Sequence, residues 1–481
     1  MLWVLLALAC AAAVLLAVVL VRAALFKPGE GKNTPGEAAG IEYKRAVEHL
    51  SQMVRVPTVS SRNPQEVDEG AFEDFRRLLE ALYPRVTAAC PRERIGPSGL
   101  LYYWKGKQPG APAVLMAHYD VVPPGDLTGW QKPPFCGELD ADGVLWGRGT
   151  LDTKGTLCGI LEAAEALLEQ GYIPEHDVYF SFSGDEEIMG PSAPAIVDVL
   201  EQRGIHPALV LDEGGAIVEG AFPVVKEKTA VVGICEKGQL DVELSIKSKG
   251  GHTSAPPVKT PVAALARAVT RVEKRPFPAV LTPAARDMFN ILGRRSSFGM
   301  KLIFANLWLF LPLLKKICTA SGGEMNALMR TTCCFTRMEG SQAANAIPTE
   351  ARMTANLRLV RGDSMDDCEA YLRRVIDDPD ITVTRIQGND ASPYSPADGP
   401  AWELVRSAIG ETWPEAVTAP YMMMACSDSR HFCRISEHVL RFSAMELSKE
   451  ERGLIHGLNE RVPAEKVGRA AEFFYRVLKK C

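Results

Sequence analysis

Ala113-Val-Leu-Met-Ala-His118-Tyr-Asp120 sets a continuous apolar run directly against two polar side chains that can serve a metal. A run without alternation marks a strand buried on both faces, so the chain reads as α/β from this point outward. Residues 178–183 (VYFSFS) and 208–211 (ALVL) repeat the pattern. Acids stand at their ends too: Asp185-Glu186-Glu187 after the second run, Asp212-Glu213 at the end of the third. Between the first two runs, residues 154–170 carry Leu157, Ile160, Leu161, Ala164, Leu167 and Leu168 on one side of a helix that Gly171 stops. Strand and helix alternate, which predicts a mostly parallel sheet with helices on both faces. In such sheets ligands bind beyond the carboxyl ends of the strands, so these distant polar groups are expected to converge.

The totals fit a globular protein of more than one core. The chain has 481 residues, 47% hydrophobic and 23% charged, and a formal charge of −5. No basic stripe is present, which argues against nucleic acid as a partner. Residues 2–21 are apolar without a break, about the twenty needed to cross a bilayer. We read them as an uncleaved single-pass anchor, with a long signal peptide as the alternative. The basic residues Arg22 and Lys27 put the following side in the cytoplasm. Residues 31–40 read as a flexible spacer. The twelve cysteines are scattered, with Cys333 and Cys334 adjacent, and read as reduced, packed side chains rather than a disulfide framework.

From about residue 235 the pattern changes. Residues 240–246 (LDVELSI) alternate, a helix is expected over 261–274, strands over 331–338, 352–360 and 381–386, and a helix over 364–377. That order suits a small α+β layer inserted into the first domain. Within it, residues 302–314 (LIFANLWLFLPLL) are strongly apolar, too short to span and broken by Pro312. They read either as a buried lid helix or as a hydrophobic surface for an acyl substrate, a partner or the membrane face. After residue 392 the first pattern resumes, and YMMMA (421–425) leads into Ser427-Asp428-Ser-Arg430-His431. A strand over 438–442 precedes the loop of Ile455-His456-Gly457, and a helix over 464–479 ends the chain. The expected organisation is a transmembrane anchor at 1–25, a linker at 26–41, a catalytic domain at 42–234 and 391–481, and an inserted lid or dimerisation domain at 235–390.

Asp152 lies among glycines in Gly147-Arg-Gly-Thr-Leu-Asp152-Thr-Lys-Gly155, a poor core position and a good ligand position. Two cations that share a carboxylate need about three protein ligands each, with open positions for substrate. Asp152 can bridge, with His118 and one acidic residue on one ion, and Glu187 and a late His on the other. Imidazole and carboxylate without thiolate suit zinc, with cobalt or manganese as substitutes. Asp120 is placed to fix the tautomer of His118. Glu186 is the natural general base for an attacking water.

Met116-Ala-His118-Tyr-Asp120-Val-Val-Pro123, the Gly147 to Gly155 stretch, Ser183-Gly-Asp-Glu186-Glu187 and Gly250-Gly-His252-Thr-Ser-Ala-Pro256 resemble successive motifs of the di-zinc aminoacylase and carboxypeptidase family. Within it they look like the branch of Gly-X carboxypeptidases (carboxypeptidase S) and N-acyl amino acid hydrolases. The resemblance implies a zinc peptidase domain interrupted by a smaller domain that in many relatives also forms dimers. It implies that His118, Asp152 and Glu213 hold one zinc and Asp152, Glu187 and His456 the other, two ions per subunit, with Asp212 open as an alternative to Glu213. It further implies that Glu186 is the catalytic carboxylate and that His252 steadies the oxyanion. Arg430 would grip the substrate carboxylate with its planar fork, with Asn345 as a helper.

The expected activity is hydrolysis of an amide bond next to a free carboxylate, in a short peptide or an N-acyl amino acid. An N-fatty-acyl amino acid hydrolase or synthase is the alternative enzyme, favoured by the apolar segment and the anchor. A non-catalytic, membrane-tethered metal-binding protein is the alternative of another class.

Overall fold

An apolar stretch rich in Leu and Ala propagates as one helix, and α1 (Leu2–Leu25) does so in the computed structural model, which describes residues 1–29, 33–220 and 225–481. Gly31 and Lys32, at the start of the expected spacer, lie outside the described residues. α1 is long and apolar enough to cross a bilayer, and of its residues Val19 and Ala23 are buried against the rest of the molecule.

Beyond α1 come α2 (Tyr43–Val54), α3 (Glu69–Leu82), β1 (Arg92–Ile95), β2 (Gly99–Trp104), β3 (Ala113–His118), α4 (Lys154–Glu169), β4 (Val178–Ser183), α5 (Ser192–Gln202), β5 (Leu209–Asp212), β6 (Ile217–Val218) and β7 (Thr229–Glu236). Then follow β8 (Gly238–Lys247), α6 (Pro261–Lys274), α7 (Pro283–Gly293), α8 (Phe298–Phe304), α9 (Leu307–Ser321), β9 (Thr332–Glu339), β10 (Glu350–Leu359), α10 (Met365–Ile376) and β11 (Thr382–Asn389). The chain closes with α11 (Gly399–Thr412), β12 (Val417–Met423), β13 (Val439–Arg441), β14 (Glu446–Leu447) and α12 (Ala464–Leu478).

The fold is α/β. The main sheet has ten strands in the order β1-β2-β4-β3-β5-β13-β7-β6-β14, with β12 also on β7. Its centre is parallel, β4-β3-β5-β13, and β3, β4 and β5 are buried along their whole length. The expectation of a mostly parallel sheet is corrected to a mixed one. β1 and β2 form an antiparallel hairpin, β2 runs antiparallel to β4, and β7 runs antiparallel to β6 and β13. The hairpin is closed by Gly96, at φ +64°, and by Gly99, where a Cβ would stand 2.5 Å from the Ile95 carbonyl. The alternation of long helical and apolar patterns does not signal so short a hairpin.

α4 differs from the one-sided helix its spacing predicts. It is buried nearly all round, and its acids are satisfied from outside: Glu162 accepts from Arg45 Nε at 3.0 Å, and Glu165 from the N–H groups of Arg85 and Val86 at 3.1 and 3.0 Å. α12 lies so close along it that a Cβ on Gly159 would meet Phe474 at 3.1 Å. On the opposite face α5 sets Ile196, Val197 and Leu200 against Leu101, Val114 and Val210.

A second, four-stranded antiparallel sheet has the order β9-β10-β8-β11. Burial alternates along β8 and β10, so one face packs on α6 and α10 and the other is half open. The helices between α6 and β9 belong elsewhere: Ala284, Met288, Phe289, Phe304, Leu314 and Cys318 pack in the core of the main sheet. The apolar segment 302–314 is shared between α8 and α9, which meet at 110°, so Phe304 and Leu314 are buried while Trp308 and Leu313 are exposed.

Of the four chain crossings between the two units, at 236–238, 275–282, 322–331 and 389–392, the first and last meet at one corner. Glu236 ends β7 and Gly238 begins β8; on the return path the Ser392 hydroxyl accepts from the Glu236 N–H at 2.8 Å, and the Ser392 N–H donates to the Glu236 carbonyl at 3.1 Å. A Cβ on Gly238 would lie 2.6 Å from Ala391 N and Asn389 O, so the crossings touch.

Candidate metal centre

Because β4, β3 and β5 are adjacent and parallel, their carboxyl ends line up. His118 is the last residue of β3, paired in register with Ser183; Glu186 and Glu187 follow β4; Glu213 follows β5. Asp152 stands just before the N-terminus of α4, where the helix dipole favours an anion. His456 is presented by the loop before α12, on left-handed backbone at φ 58°.

Asp152 faces an imidazole with each oxygen. Oδ1 lies 2.9 Å from His118 Nε2, and Oδ2 lies 3.0 Å from His456 Nε2. Glu187 Oε1 is 3.1 Å from His456 Nε2, and Glu213 Oε1 is 3.5 Å from His118 Nε2. The ligating atoms of His118, Asp152 and Glu187 lie within 4.8 Å of one another, as do those of His118, Glu186 and Glu213. Asp212 is turned away: its carboxylate accepts from the N–H groups of Glu213 at 2.8 Å and Ser429 at 3.0 Å.

The electrostatics are those of crowded acids. Burial pushes the Glu213 carboxyl up to about 8, with the nearby Asp152 charge adding to it. Burial also raises Glu186 well above the carboxylate range, with Asp428, Glu213 and Glu187 adding and His118 opposing. Glu187 is raised by burial as well. At Asp152 burial acts upward but is outweighed by the hydrogen bonds from His118 and His456, which hold it below the usual range. His456 is lifted to about 10 by its hydrogen bonds to Asp152 and Glu187. Four carboxylates and two imidazoles so close together carry more negative charge than burial tolerates, and divalent cations fit this donor set. All oxygen and nitrogen donors, it suits zinc, cobalt or manganese.

The supports are as informative as the donors. The Asp120 carboxylate accepts from the N–H groups of Glu186 at 3.2 Å and Glu187 at 3.1 Å, while His118 Nδ1 lies 3.0 Å from the Asp120 carbonyl and 3.3 Å from its Oδ1. Asp120 therefore fixes both the imidazole and the acidic turn. Glu460, missed in the sequence reading, is fully buried; its Oε1 accepts from the N–H groups of Gly149, Leu151 and Asp152 at 3.0, 2.8 and 3.3 Å. Arg148 Nη1 donates to Glu460 Oε2 at 2.6 Å. The Gly147 to Asp152 loop is thus threaded onto one carboxylate, and the acid four residues after His456 was the available signal.

A cavity of about 490 Å³ opens over the donors. Asp152, Glu186, Glu187, Glu213 and His456 line its floor; Arg62, Arg358 and Arg430 supply positive charge; Met189, Met423, Met445, Leu447 and Ile455 make an apolar wall. Arg430 Nη1 donates to the Ser427 carbonyl at 2.7 Å. Arg358 was also missed. It stands on β10 opposite Gln239 of β8, and both reach the cavity from the open face of the second sheet. His252 and Asn345 are not brought to the cavity. Both are exposed on a two-stranded ribbon that pairs His252 with Ala346, and His252 Nδ1 lies 2.8 Å from Ser254 Oγ. The twelve cysteines are all free.

Residues 114–480 match the model of peptidase family M20/M25/M40. Among curated relatives, "Probable carboxypeptidase S-like 2" of Dictyostelium discoideum is 34% identical over 439 residues, covering 90% of this chain and 84% of the relative. The "N-fatty-acyl-amino acid synthase/hydrolase PM20D1" of Xenopus tropicalis is 33% identical over 476 residues, covering 97% of this chain and 92% of the relative. Among solved structures, the M20 family metallo-carboxypeptidase Sso-CP2 from Sulfolobus solfataricus superposes with a TM-score of 0.64 at 17% identity, over 90% of this chain and 98% of that one.

Proposed function

The chain belongs to peptidase family M20/M25/M40 and is a hydrolase; from that premise we propose that it cleaves an amide bond next to a free carboxylate, in short peptides or N-acyl amino acids, with two zinc ions in the His118, Asp152, Glu187, Glu213 and His456 cluster. The observation that carries this reading is the Asp152 carboxylate, shared between two imidazoles beneath a cavity that also holds the half-buried Glu186 and three arginines.

Zinc bound there would supply Lewis acidity to a carbonyl oxygen and to an attacking water. His118, Asp152 and Glu213 are its holders on one side, and Asp152, Glu187 and His456 on the other. Glu186 takes the proton from the water and delivers it to the leaving amine, and its raised affinity for a proton suits both halves of that task. Arg430 binds the substrate carboxylate with its fork, and Arg358 adds a second positive group on the same cavity. His252, with Asn345 beside it, steadies the oxyanion once the second sheet closes or a second copy of the chain brings the ribbon in. In this reading the second sheet with α6 and α10, within residues 235–390, is the lid or dimerisation unit, and α7, α8 and α9 of that stretch pack with the catalytic unit of 42–234 and 391–481. Residues 1–25 are a membrane anchor and 26–41 its linker, with the enzyme on the cytoplasmic side.

Glu186→Gln should retain the metals and lose roughly 10²- to 10⁴-fold in kcat. Metal analysis beside a dipeptide assay checks this; normal turnover in the variant removes Glu186 from the role.

A second reading, an N-fatty-acyl amino acid hydrolase or synthase, is favoured by the Met189, Met423, Met445, Leu447 and Ile455 wall. Methionines fill irregular apolar space and accept variable chains. On this reading kcat/KM rises with acyl length over a series of N-acyl amino acids; a flat series, with dipeptides faster, assigns the wall to amino-acid side chains.

A further inference from the structure

We infer that α8 and α9 form a lipid-docking surface, which seats the exposed side chains of Phe298, Trp308, Leu309, Leu313 and Ile317 in the interfacial layer of an anionic bilayer. The inference rests on the reading of α1 as a membrane anchor and adds a second contact to it.

The corner between α8 and α9 is where α1 joins the body. Asn306 Nδ2 donates to the Val19 carbonyl at 3.1 Å, and Arg22 Nε donates to the Ala305 carbonyl at 3.1 Å. Just beyond, Arg294 Nη1 donates to the Lys27 carbonyl at 3.0 Å and its guanidinium lies 4.6 Å from the Phe26 ring. These contacts fix the height of the corner. A hydrocarbon core of about 30 Å takes up about 20 residues at 1.5 Å each. The unbroken apolar run covers residues 2–21, so Val19 must lie within the last turn still in lipid. Asn306 is bonded to that turn, and the α8–α9 corner therefore sits at the bilayer surface.

The face that leaves this corner has the chemistry of an interfacial helix. Leu309, Leu313 and Ile317 recur every fourth residue on α9 and are 37%, 45% and 37% exposed; Trp308 is 59% and Phe298 52% exposed. The opposite side of α9 is held down by the buried Leu314 and Cys318. A stripe of this width, with an aromatic side chain at each end of the corner, is what an interfacial segment presents to acyl chains and headgroups. The charge agrees: residues 288–323 contain no Asp or Glu, and besides Arg294, which holds the Lys27 carbonyl, and Arg295, 4.0 Å from Glu227, they contain Lys301, Lys315 and Lys316, a set drawn to anionic headgroups. α7, next in the same helical cluster, packs on β12, whose last residue, Met423, lines the cavity. Docking thus connects the membrane contact, through α7 and β12, to the apolar wall of the cavity.

The test reconstitutes the full chain in vesicles of phosphatidylcholine and phosphatidylserine, with or without brominated acyl chains that quench tryptophan on contact. Trp3→Phe removes the tryptophan of α1, and the double variant Trp3→Phe, Trp308→Phe gives the reference. Of the others, Trp104, Trp146, Trp402 and Trp413 are buried in the body and Trp130 is half-buried. Expected is that the Trp308 component, the difference between the two variants, loses most of its intensity in brominated vesicles, and that adding Leu313→Asp with Ile317→Asp restores it without changing turnover of a water-soluble substrate. Vesicles that carry the protein on flotation while Trp308 stays unquenched overturn the docking and spare the anchor. Protein that does not float with vesicles overturns both. An unquenched Trp308 together with a dimer that the Asp variants split into monomers assigns the stripe to a second copy and overturns the proposal.

Discussion

The two sheets divide the labour. In the main sheet β3, β4 and β5 are buried on both faces and their central side chains only pack; the candidate donors stand at or just beyond their ends, His118, Glu186, Glu187 and Glu213. In the second sheet β8 and β10 are buried on one face only, and the residues it sends to the cavity, Gln239 and Arg358, stand on the open face near the joint with the main sheet. None of the candidate metal donors belongs to it. A strand packed on both sides can aim a group only at its tip, whereas a half-covered strand presents a surface. The candidate metal donors thus come from strand tips of the main sheet, while part of the cavity's positive charge, Arg358, comes from a half-covered strand.

Three changes test that division, beginning with the largest effect. Asp152→Ala removes the carboxylate shared by both imidazoles and should abolish turnover and metal content together. Retention of two cations per chain, read by elemental analysis, would dissolve the contrast at its strongest point. His252→Ala, in the second sheet's territory, should lower kcat by roughly 10²- to 10³-fold as an oxyanion donor does, with metal content unchanged. Loss of metal instead would make the second sheet part of the holding machinery. The smallest effect is expected at the joint. Lys237 is buried and donates to the Ala327 and Arg330 carbonyls at 3.0 and 2.8 Å; burial, with the Arg358 guanidinium adding, holds its amine down at about 7. From that pH up to the ordinary lysine range the unfolded chain binds more protons than the folded one, so stability rises with pH across the window. Lys237→Met should flatten that rise, measured as the midpoint of urea unfolding against pH, without altering metal content.

The parts legible in the sequence were those fixed by local pattern. The three apolar runs announce buried strands, and because each ends in a polar group, the convergence of His118, Glu187 and Glu213 could be foreseen. Residues 240–246 announce a half-buried strand by alternation, and burial along β8 follows it. The hairpin of β1 and β2 was not foreseen, since its closure depends on two glycines within a short stretch without marked periodicity. Nor was Glu460, whose task is to gather three main-chain N–H groups from a loop more than three hundred residues away. Which residue of a half-open strand faces a cavity is decided by how two sheets lean on each other, and Arg358 was hidden for that reason. The apolar segment 302–314 admitted two readings because each describes part of it: Phe304 and Leu314 face inward and Trp308 and Leu313 outward.

The joined crossings at Glu236–Gly238 and Asn389–Ser392 bear on motion. Two adjacent stretches of chain that hydrogen-bond to each other resist sliding at this corner, and the other two crossings are tied in the same way, the Val280 N–H donating to the Met329 carbonyl at 2.6 Å. Four crossings joined in pairs set how the second sheet leans on the main one, and that lean decides how far Arg358 stands from the candidate metal donors. A bulky residue in place of Gly238 would push the Glu236–Gly238 and Asn389–Ser392 stretches apart and tilt the sheet that carries Arg358.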